Sequence, residues 1–360
     1  MMHFDYYSKV DKFAYKLDMK RRLEKANGRL KKQAKIGLTA EEKKMFQKAW
    51  GDWSMESCEF YKAYCGRFDV GFVPNDYYDF AEHVLNLRWA AFFLQHKCNL
   101  KYIIPVRNRP TTVLQKIDGH YVYEDNSEIS IAEAKALLKQ KDSFICKVAF
   151  GSGGGKGVRK VCLSKEEDVD ATLARLMKPE DLIFQDVICQ SDFMSSFNPD
   201  SVNTIRLLTL NLNGKCSVLS SFMRMGARGS FVDNLCSGGG VLVGINQSGE
   251  INEFGIRKDY SKAFEASSGI LFKGLTVPNW DEVKESVIRF HQRIPYANLI
   301  GWDIAIDKDG ESIVIEINLD NAEIEAHQVF NGPVFGERLE EVREYIDAKK
   351  PLLRHAMITY

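Results

Sequence analysis

Apolar positions along the chain recur at two spacings, and the spacing changes along its length. Over residues 1–95 they fall mostly at three- and four-residue intervals, which predicts helices. TAEEKKMFQKAW (39–50) opens on a Thr cap followed by acids in its first turn. YYDFAEHVLNLRWAAFFLQ (77–95) reads as one longer helix. Shorter extended runs follow: YIIPV (102–106), TTVLQKI (111–117) and HYVYED (120–125), the last two joined by an Asp118-Gly119 hairpin signal. SIAEAKALLKQ (130–140) is a Ser-capped helix, DVDATLARLM (168–177) another, and DLIFQDVIC (181–189) a strand that runs into polar residues. Beyond residue 200 strand pairs dominate. SVNTIRLLTLNLNGKCSVLSSFMRMG (201–226) is a hairpin turning at Asn213-Gly214, and a second strand pair turns around Ser248-Gly249. LIGWDIAIDKDGESIVIEINLD (299–320) turns at Asp309-Gly310. The amphipathic stretch 279–294 and the tail FGERLEEVREYIDAKK are helical. The expected class is α+β, with a mostly helical N-terminal region.

Composition narrows the function classes. The 360 residues are 45% hydrophobic and 27% charged with zero net charge, which excludes a disordered chain and provides a large core. No apolar run approaches the roughly 20 residues needed to span a bilayer, and the start lacks a secretory h-region. Eight cysteines without a C-x-x-C pair read as reduced thiols, which places the expected location in the cytoplasm. Charge is unevenly spread: residues 1–50 carry 14 Lys+Arg against 6 Asp+Glu, and the remainder is acidic to the same extent. The basic stretch KRRLEKANGRLKKQAK (20–35) reads either as a helix packed on the acidic remainder or as a peripheral contact with anionic lipid. It lacks a nucleic-acid reading motif, so no nucleic-acid partner is expected.

The glycines of SFICKVAFGSGGGKGVRKVCL (143–163) carry the first chemical signal. The stretch fails the Walker A pattern, and a strand rather than a helix follows it, so it fails the dinucleotide fingerprint as well. What remains is strand, glycine loop, strand. Bare backbone N–H groups in such a loop can fold over phosphates, and Lys147 just ahead of it can pair with phosphate oxygens. An ordinary hairpin tip is the plainer alternative, but five glycines in seven residues exceed what a turn requires.

A second constellation joins Asp303, Glu316 and Asn318. The Asp309-Gly310 turn makes their strands antiparallel neighbours, and Glu316 and Asn318 share a face by strand periodicity. Three oxygen donors amid apolar residues suit Mg²⁺. The alternative is the polar outer face of an edge hairpin, although an unpaired carboxylate within IGWDIAI or IVIEI would be costly to bury. Arg206 and Arg224, on neighbouring strands, can act as transition-state clamps if a nucleotide lies near, and as surface salt bridges otherwise.

Taken in order, the Lys strand, the glycine flap, FQDVI, the N-x-x-R strand and D…E-x-N resemble the ATP-grasp superfamily. SVNTIRLLT, RMGARGSFVDNLCSGGG (224–240) and GWDIAID…IEIN look most like its sugar-transfer-associated branch, over roughly residues 85–335. That resemblance implies two α+β subdomains clamping Mg-ATP. The implied division is a basic helical region (1–95), a lid with the flap (96–190), a catalytic subdomain with metal ligands (191–340) and a C-terminal helix (341–360). It implies ATP and Mg²⁺ as cofactors, with Lys147 and either Lys97 or its rival Lys101 on phosphates. Gly153, Gly154 and Gly155 would lie in the closing loop, and Gln185, Asp186, Val187 and Ile188 would hold adenine. Asp303, Glu316 and Asn318 would be the metal ligands, and Arg206 and Arg224 would stabilise the phosphorylated intermediate. Asn203 and Asn234 would line the substrate pocket. The implied reaction is ADP-forming carboxylate–amine ligation through an acylphosphate, on small carboxylate and amine substrates linked to cell-surface polysaccharide biosynthesis. The alternatives are an ATP-grasp kinase acting on a hydroxyl, and a nucleotide-dependent scaffold for a glycosyltransferase.

Overall fold

The computed structural model describes residues 37–356, without 152–154, 156, 178–179, 231–239, 260 and 321. The basic stretch 20–35 and the expected site residues Gly153, Gly154 and Asn234 therefore lie outside the described residues. The fold is α+β, built on two antiparallel sheets.

The N-terminal part supplies α1 (Ala40–Trp50), α2 (Glu56–Cys65), α3 (Asn75–Leu85) and α4 (Arg88–Gln95). Thr39 caps α1 through a reciprocal box with Glu42, an arrangement worth ~1 kcal/mol. The single helix expected over 77–95 is broken at Asn86, for a structural reason. Asn86 leaves the helix in an extended conformation and is buried with its amide fully engaged. Its Nδ2 donates to the Leu299 and Leu319 carbonyls, both at 2.7 Å, and its Oδ1 accepts from the Asn298 and Leu299 N–H groups, both at 3.0 Å. Tertiary bonds thus replace the helical ladder at this point. The expected extended run 102–106 is also corrected: the chain makes 3-10 turns over Lys97–Tyr102 and Val106–Asn108.

Among the described residues, the smaller sheet holds β1 (Thr112–Ile117), β2 (His120–Val122), β3 (Glu128–Ile129), β4 (Ser143–Val148), β5 (Val158–Cys162) and β6 (Leu182–Gln185), in the order β3-β2-β1-β6-β4-β5. β6 is shorter than the strand expected over 181–189, and residues 186–189 leave the ladder. Helices α5 (Ile131–Lys139) and α6 (Val169–Leu176) cover one face, packing Ala134, Leu138 and Leu173 against Leu114, Cys146 and Phe184. The other face carries Gln115, Lys147 and Ile183 in direct cross-strand register. The 3-10 turn at 97–102 packs there through Cys98, against Ala149 and Ile183.

The larger sheet holds β7 (Thr204–Leu212), β8 (Lys215–Met225), β9 (Val241–Ile245), β10 (Ile251–Ile256), β11 (Lys262–Ala263), β12 (Leu299–Ile306) and β13 (Ser312–Asn318), in the order β11-β10-β9-β8-β7-β12-β13. The short α7 (Asp192–Phe197) precedes it, and α8 (Trp280–His291) packs under one face on Trp302, Ile300 and Met223. On the opposite face Leu208, Leu210, Phe222 and Leu299 share a core with α1–α3, α9 (Ile324–Asn331) and α10 (Leu339–Ala356). Gly244 of β9 permits the close seating of α9: a Cβ there would stand 2.5 Å from Phe330 Cβ and 2.4 Å from Asn252 Nδ2. The apolar face ends toward the start of β7, where polar residues replace leucines.

Candidate active site

The polar end of that face follows from strand periodicity. Arg206 lies two residues before Leu208, and its side chain projects on the same side. Register then assembles the rest: Asp303 is paired directly with Arg206 on β7 and with Glu316 on β13, while Arg224 is paired with Thr204. Asn318 stands opposite Gly301. The sequence reading of a shared face for Asp303, Glu316 and Asn318 thus matches the observed ladder.

These groups form one ionic cluster. Arg206 grips Asp303 with two nitrogens, Nε to Oδ1 at 2.5 Å and Nη2 to Oδ2 at 3.1 Å. Arg224 Nη1 stands 3.6 Å from the same carboxylate. All three residues are buried, so neither arginine is a surface salt bridge. Burial alone would raise the Asp303 carboxyl, but the two guanidiniums outweigh it and hold the group below the usual carboxylate range. Glu316 receives a different cation: Lys97 Nζ donates to Oε1 at 2.9 Å. The Lys97 main chain is pinned to the smaller sheet by its N–H to Ala149 O at 2.9 Å, just before the glycine loop. The rival Lys101 points elsewhere, to Gln115 Oε1, Glu124 O and Asn126 Oδ1.

The residues expected to hold a nucleotide are partly brought together. Lys147 and Gln185 project from one face of the smaller sheet, both buried, two ladder positions apart. Asp186 is half-buried and paired with Lys141 at 2.8 Å, so its carboxylate is turned to a neighbour. Val187 and Ile188 follow in irregular chain, and no main-chain bond among the described residues engages either. Gly155 has a left-handed φ of 74°, which glycine adopts without steric cost. Asn203 is fully buried, and its amide donates to the Met194 and Asn198 carbonyls at 2.7 and 2.9 Å. Its bonds run to the 190–201 segment rather than to the ionic cluster.

Two histidines lie within the larger sheet's cores. His291 Nδ1 meets Thr209 Oγ1 at 2.7 Å and Nε2 meets Ala297 O at 2.9 Å. Burial lowers its pKa to about 4, and that of His327, bonded to Ser220 Oγ, to about 3. Both are neutral structural residues at physiological pH.

A profile of the family described as sugar-transfer associated ATP-grasp matches residues 112–344, well over half of the chain. The chain belongs to the sugar-transfer associated ATP-grasp family. No curated protein matches the sequence significantly. Among solved structures it is similar to D-alanyl-alanine synthetase A from Vibrio cholerae, at 15% identity and a TM-score of 0.42, over 72% of this chain and 66% of that one. It is similar also to the ATP-grasp ligase PsnB complexed with minimal precursor, Mg and ADP, at 13% and 0.42, over 73% and 62%. A third is the D-alanine-D-alanine ligase from Coxiella burnetii, at 12% and 0.38, over 74% and 61%. The chain spans less than two thirds of the length of each.

In this ATP-grasp chain the family match begins at β1 and ends in α10. It therefore includes Lys147, Gln185, both arginines and the three oxygen donors, and leaves Lys97 outside. The fold nonetheless brings Lys97 to Glu316. Sequence reading missed Glu323. This residue precedes α9 in a left-handed conformation (φ 60°, ψ 54°), and its Oε2 stands 3.6 Å from Nη1 of both Arg206 and Arg224. Nothing local in EINLDNAEIEAHQ marks that conformation. Among the described residues no helix is long and apolar enough to cross a membrane.

Proposed function

We propose that this protein is an ATP-dependent, ADP-forming carboxylate–amine ligase that modifies a sugar or sugar acid in cell-surface polysaccharide biosynthesis. In this reading the segment 96–190 is the lid, residues 191–340 the catalytic half, and ATP binds between the two sheets. Lys97 and Lys147 hold phosphate oxygens, the loop containing Gly153, Gly154 and Gly155 closes over them, and Gln185–Ile188 meet adenine. The unengaged main chain at Val187 and Ile188 suits the hydrogen-bonding edge of a base.

Asp303, Glu316 and Asn318 are the groups that would hold Mg²⁺. The donor set fits a hard cation: all three offer oxygen on one sheet face, and Glu316 already accepts an ammonium cation at 2.9 Å. Asp303 retains lone pairs beyond those used by Arg206, since a carboxylate offers about four acceptor positions. When bound, the ion would neutralise phosphate charge and orient the γ-phosphoryl group.

The observation that carries the ligase reading is the buried pair Arg206 and Arg224 beside three oxygen donors on one sheet face, which suits an anionic substrate. Asp303 is held below the usual carboxylate range and gripped by Arg206, so it is not available as a base. A substrate carboxylate is already ionised and needs no base. Its oxygen attacks the γ-phosphorus, the bond to the β–γ bridging oxygen breaks, and ADP leaves. The amine then attacks the acyl carbon, the carbon–oxygen bond to phosphate breaks, and the amine gives up its proton as the amide forms. Arg206 and Arg224 stabilise the charge that develops on the transferring phosphoryl oxygens.

The test is ATP turnover with a panel of sugar acids, amino acids and amines, with hydroxylamine present as a trap. ADP, phosphate and a hydroxamate are expected. ADP with a stable phosphorylated product and no hydroxamate would establish the kinase instead.

A further inference from the structure

The arginine pair is fully compensated in the resting protein. Two guanidinium charges face two carboxylates, Asp303 and Glu323, within 3.6 Å. A pair so neutralised offers little attraction to a third anion. For the arginines to hold an anionic substrate, one carboxylate has to give way.

The two carboxylates differ in how firmly they are held. Asp303 lies within β12, its side chain 10% exposed, with both oxygens hydrogen-bonded to Arg206. Glu323 lies at a chain bend, its side chain 38% exposed, and its Oε2 accepts no hydrogen bond despite being buried. A buried carboxylate oxygen poised between two guanidiniums, just beyond hydrogen-bond distance of each, is attracted but not docked. The exposed remainder of the side chain gives it a path outward. The backbone at Glu323 is left-handed, a conformation strained for a non-glycine residue, and it aims this carboxylate at the arginines.

We propose that Glu323 is a displaceable internal anion: its carboxylate occupies the Arg206–Arg224 pair in the resting protein and yields that position to the carboxylate of the substrate. The identity of the displacing group rests on the ligase reading, whereas the displacement itself does not. The device sets a threshold for entry. A substrate must bring an anion that engages both arginines better than Glu323 does, and a neutral sugar hydroxyl cannot do so. Glu323 is thus a specificity-determining residue of the site.

The experiment measures binding of inorganic phosphate, as an anion probe, to the full chain saturated with ADP and Mg²⁺ at low salt. Wild type, Glu323→Gln, Arg224→Gln and the double variant are compared. Glu323→Gln keeps the shape and removes the charge, so it is expected to bind phosphate at least tenfold more tightly. That gain should vanish in the Arg224→Gln background. Equal or weaker binding by Glu323→Gln, with its melting temperature and ADP affinity retained, overturns the proposal; it would make Glu323 a fixed counter-ion. If Glu323→Gln fails to fold, Glu323→Asp serves. It keeps the charge but is one methylene shorter, and it should show a smaller gain; no gain overturns the proposal equally. The hydroxylamine trap separates the two readings. Hydroxamate formation without an affinity gain leaves the ligase and removes the displaceable anion, and the reverse result leaves the anion device and removes the ligase.

Discussion

Lys97 Nζ lies 2.9 Å from Glu316 Oε1 and ties together two residues 219 positions apart. One end of this pair is anchored to the smaller sheet at Ala149, and the other stands on β13 of the larger sheet. On the proposed function, nucleotide binding between the sheets would reorganise this pair, turning the ammonium to phosphate and the carboxylate to the metal. Lys97→Met should therefore weaken ADP binding by tenfold or more. Lys101→Met, which removes bonds to Gln115, Glu124 and Asn126, should lower thermal stability and change ADP affinity less than threefold. Calorimetric titration of both variants checks this. The opposite ranking would assign the phosphate lysine to Lys101.

The Arg206–Asp303 pair makes a prediction about stability. It is buried and bidentate, so removing one partner leaves an uncompensated charge in the core. Asp303→Asn should cost about 3–5 kcal/mol in denaturant unfolding, whereas replacing both residues with apolar ones should recover much of that loss. A loss below ~1 kcal/mol for Asp303→Asn would mean that solvent reaches the pair.

Glu82 makes a prediction about pH. It is buried on α3, and its Oε1 accepts the Ala322 N–H at 3.3 Å, next to Glu323. Burial, with a smaller push from Asp79, raises its carboxyl from 4.5 to about 8. The folded protein therefore keeps a proton that the unfolded chain releases above pH 4.5. The stabilisation from this group is complete below that pH and is lost as pH rises toward 8, at ~1.4 kcal/mol per pH unit. Glu82→Gln keeps the acceptor and removes the titration. It should be more stable than wild type by on the order of 4–5 kcal/mol at pH 8 and by little at pH 4.5. Parallel stability curves for the two proteins would show that Glu82 ionises freely in the fold.

Much of the site was legible because short-range rules govern it. Asp309-Gly310 sets the β12–β13 hairpin, and the period of two places Glu316 and Asn318 on one face, but the turn register alone would pair Asp303 with Ile315; a β-bulge between Asp303 and Ile304 brings Glu316 opposite Asp303. The Asn213-Gly214 turn likewise sets the β7–β8 hairpin, but Arg206 and Arg224 share a face only because the register shifts by one residue between Leu208 and Thr209. The features that escaped depend on distant partners. Asn86 breaks a helical pattern because the main chain at 298, 299 and 319 satisfies its amide. The run 102–106 reads as a strand by its apolar content, but residues 97–108 turn because Cys98 packs under the smaller sheet. Glu323 escaped because its position depends on a left-handed bend and on two arginines some hundred residues earlier, neither of which leaves a periodic trace. The Asn203 amide N–H group donates to the adjacent loop, a partnership that no sequence motif marks.

The proposed function requires a Mg²⁺-dependent nucleotide site that spans the two sheets and closes on Glu316. Its most direct measurement is the affinity of a non-hydrolysable ATP analogue, with and without Mg²⁺, for wild type and Glu316→Ala. The account predicts that Mg²⁺ tightens binding to wild type by tenfold or more, and that Glu316→Ala, folded and of near-normal melting temperature, loses that enhancement. Binding that is indifferent to both Mg²⁺ and the substitution would contradict it.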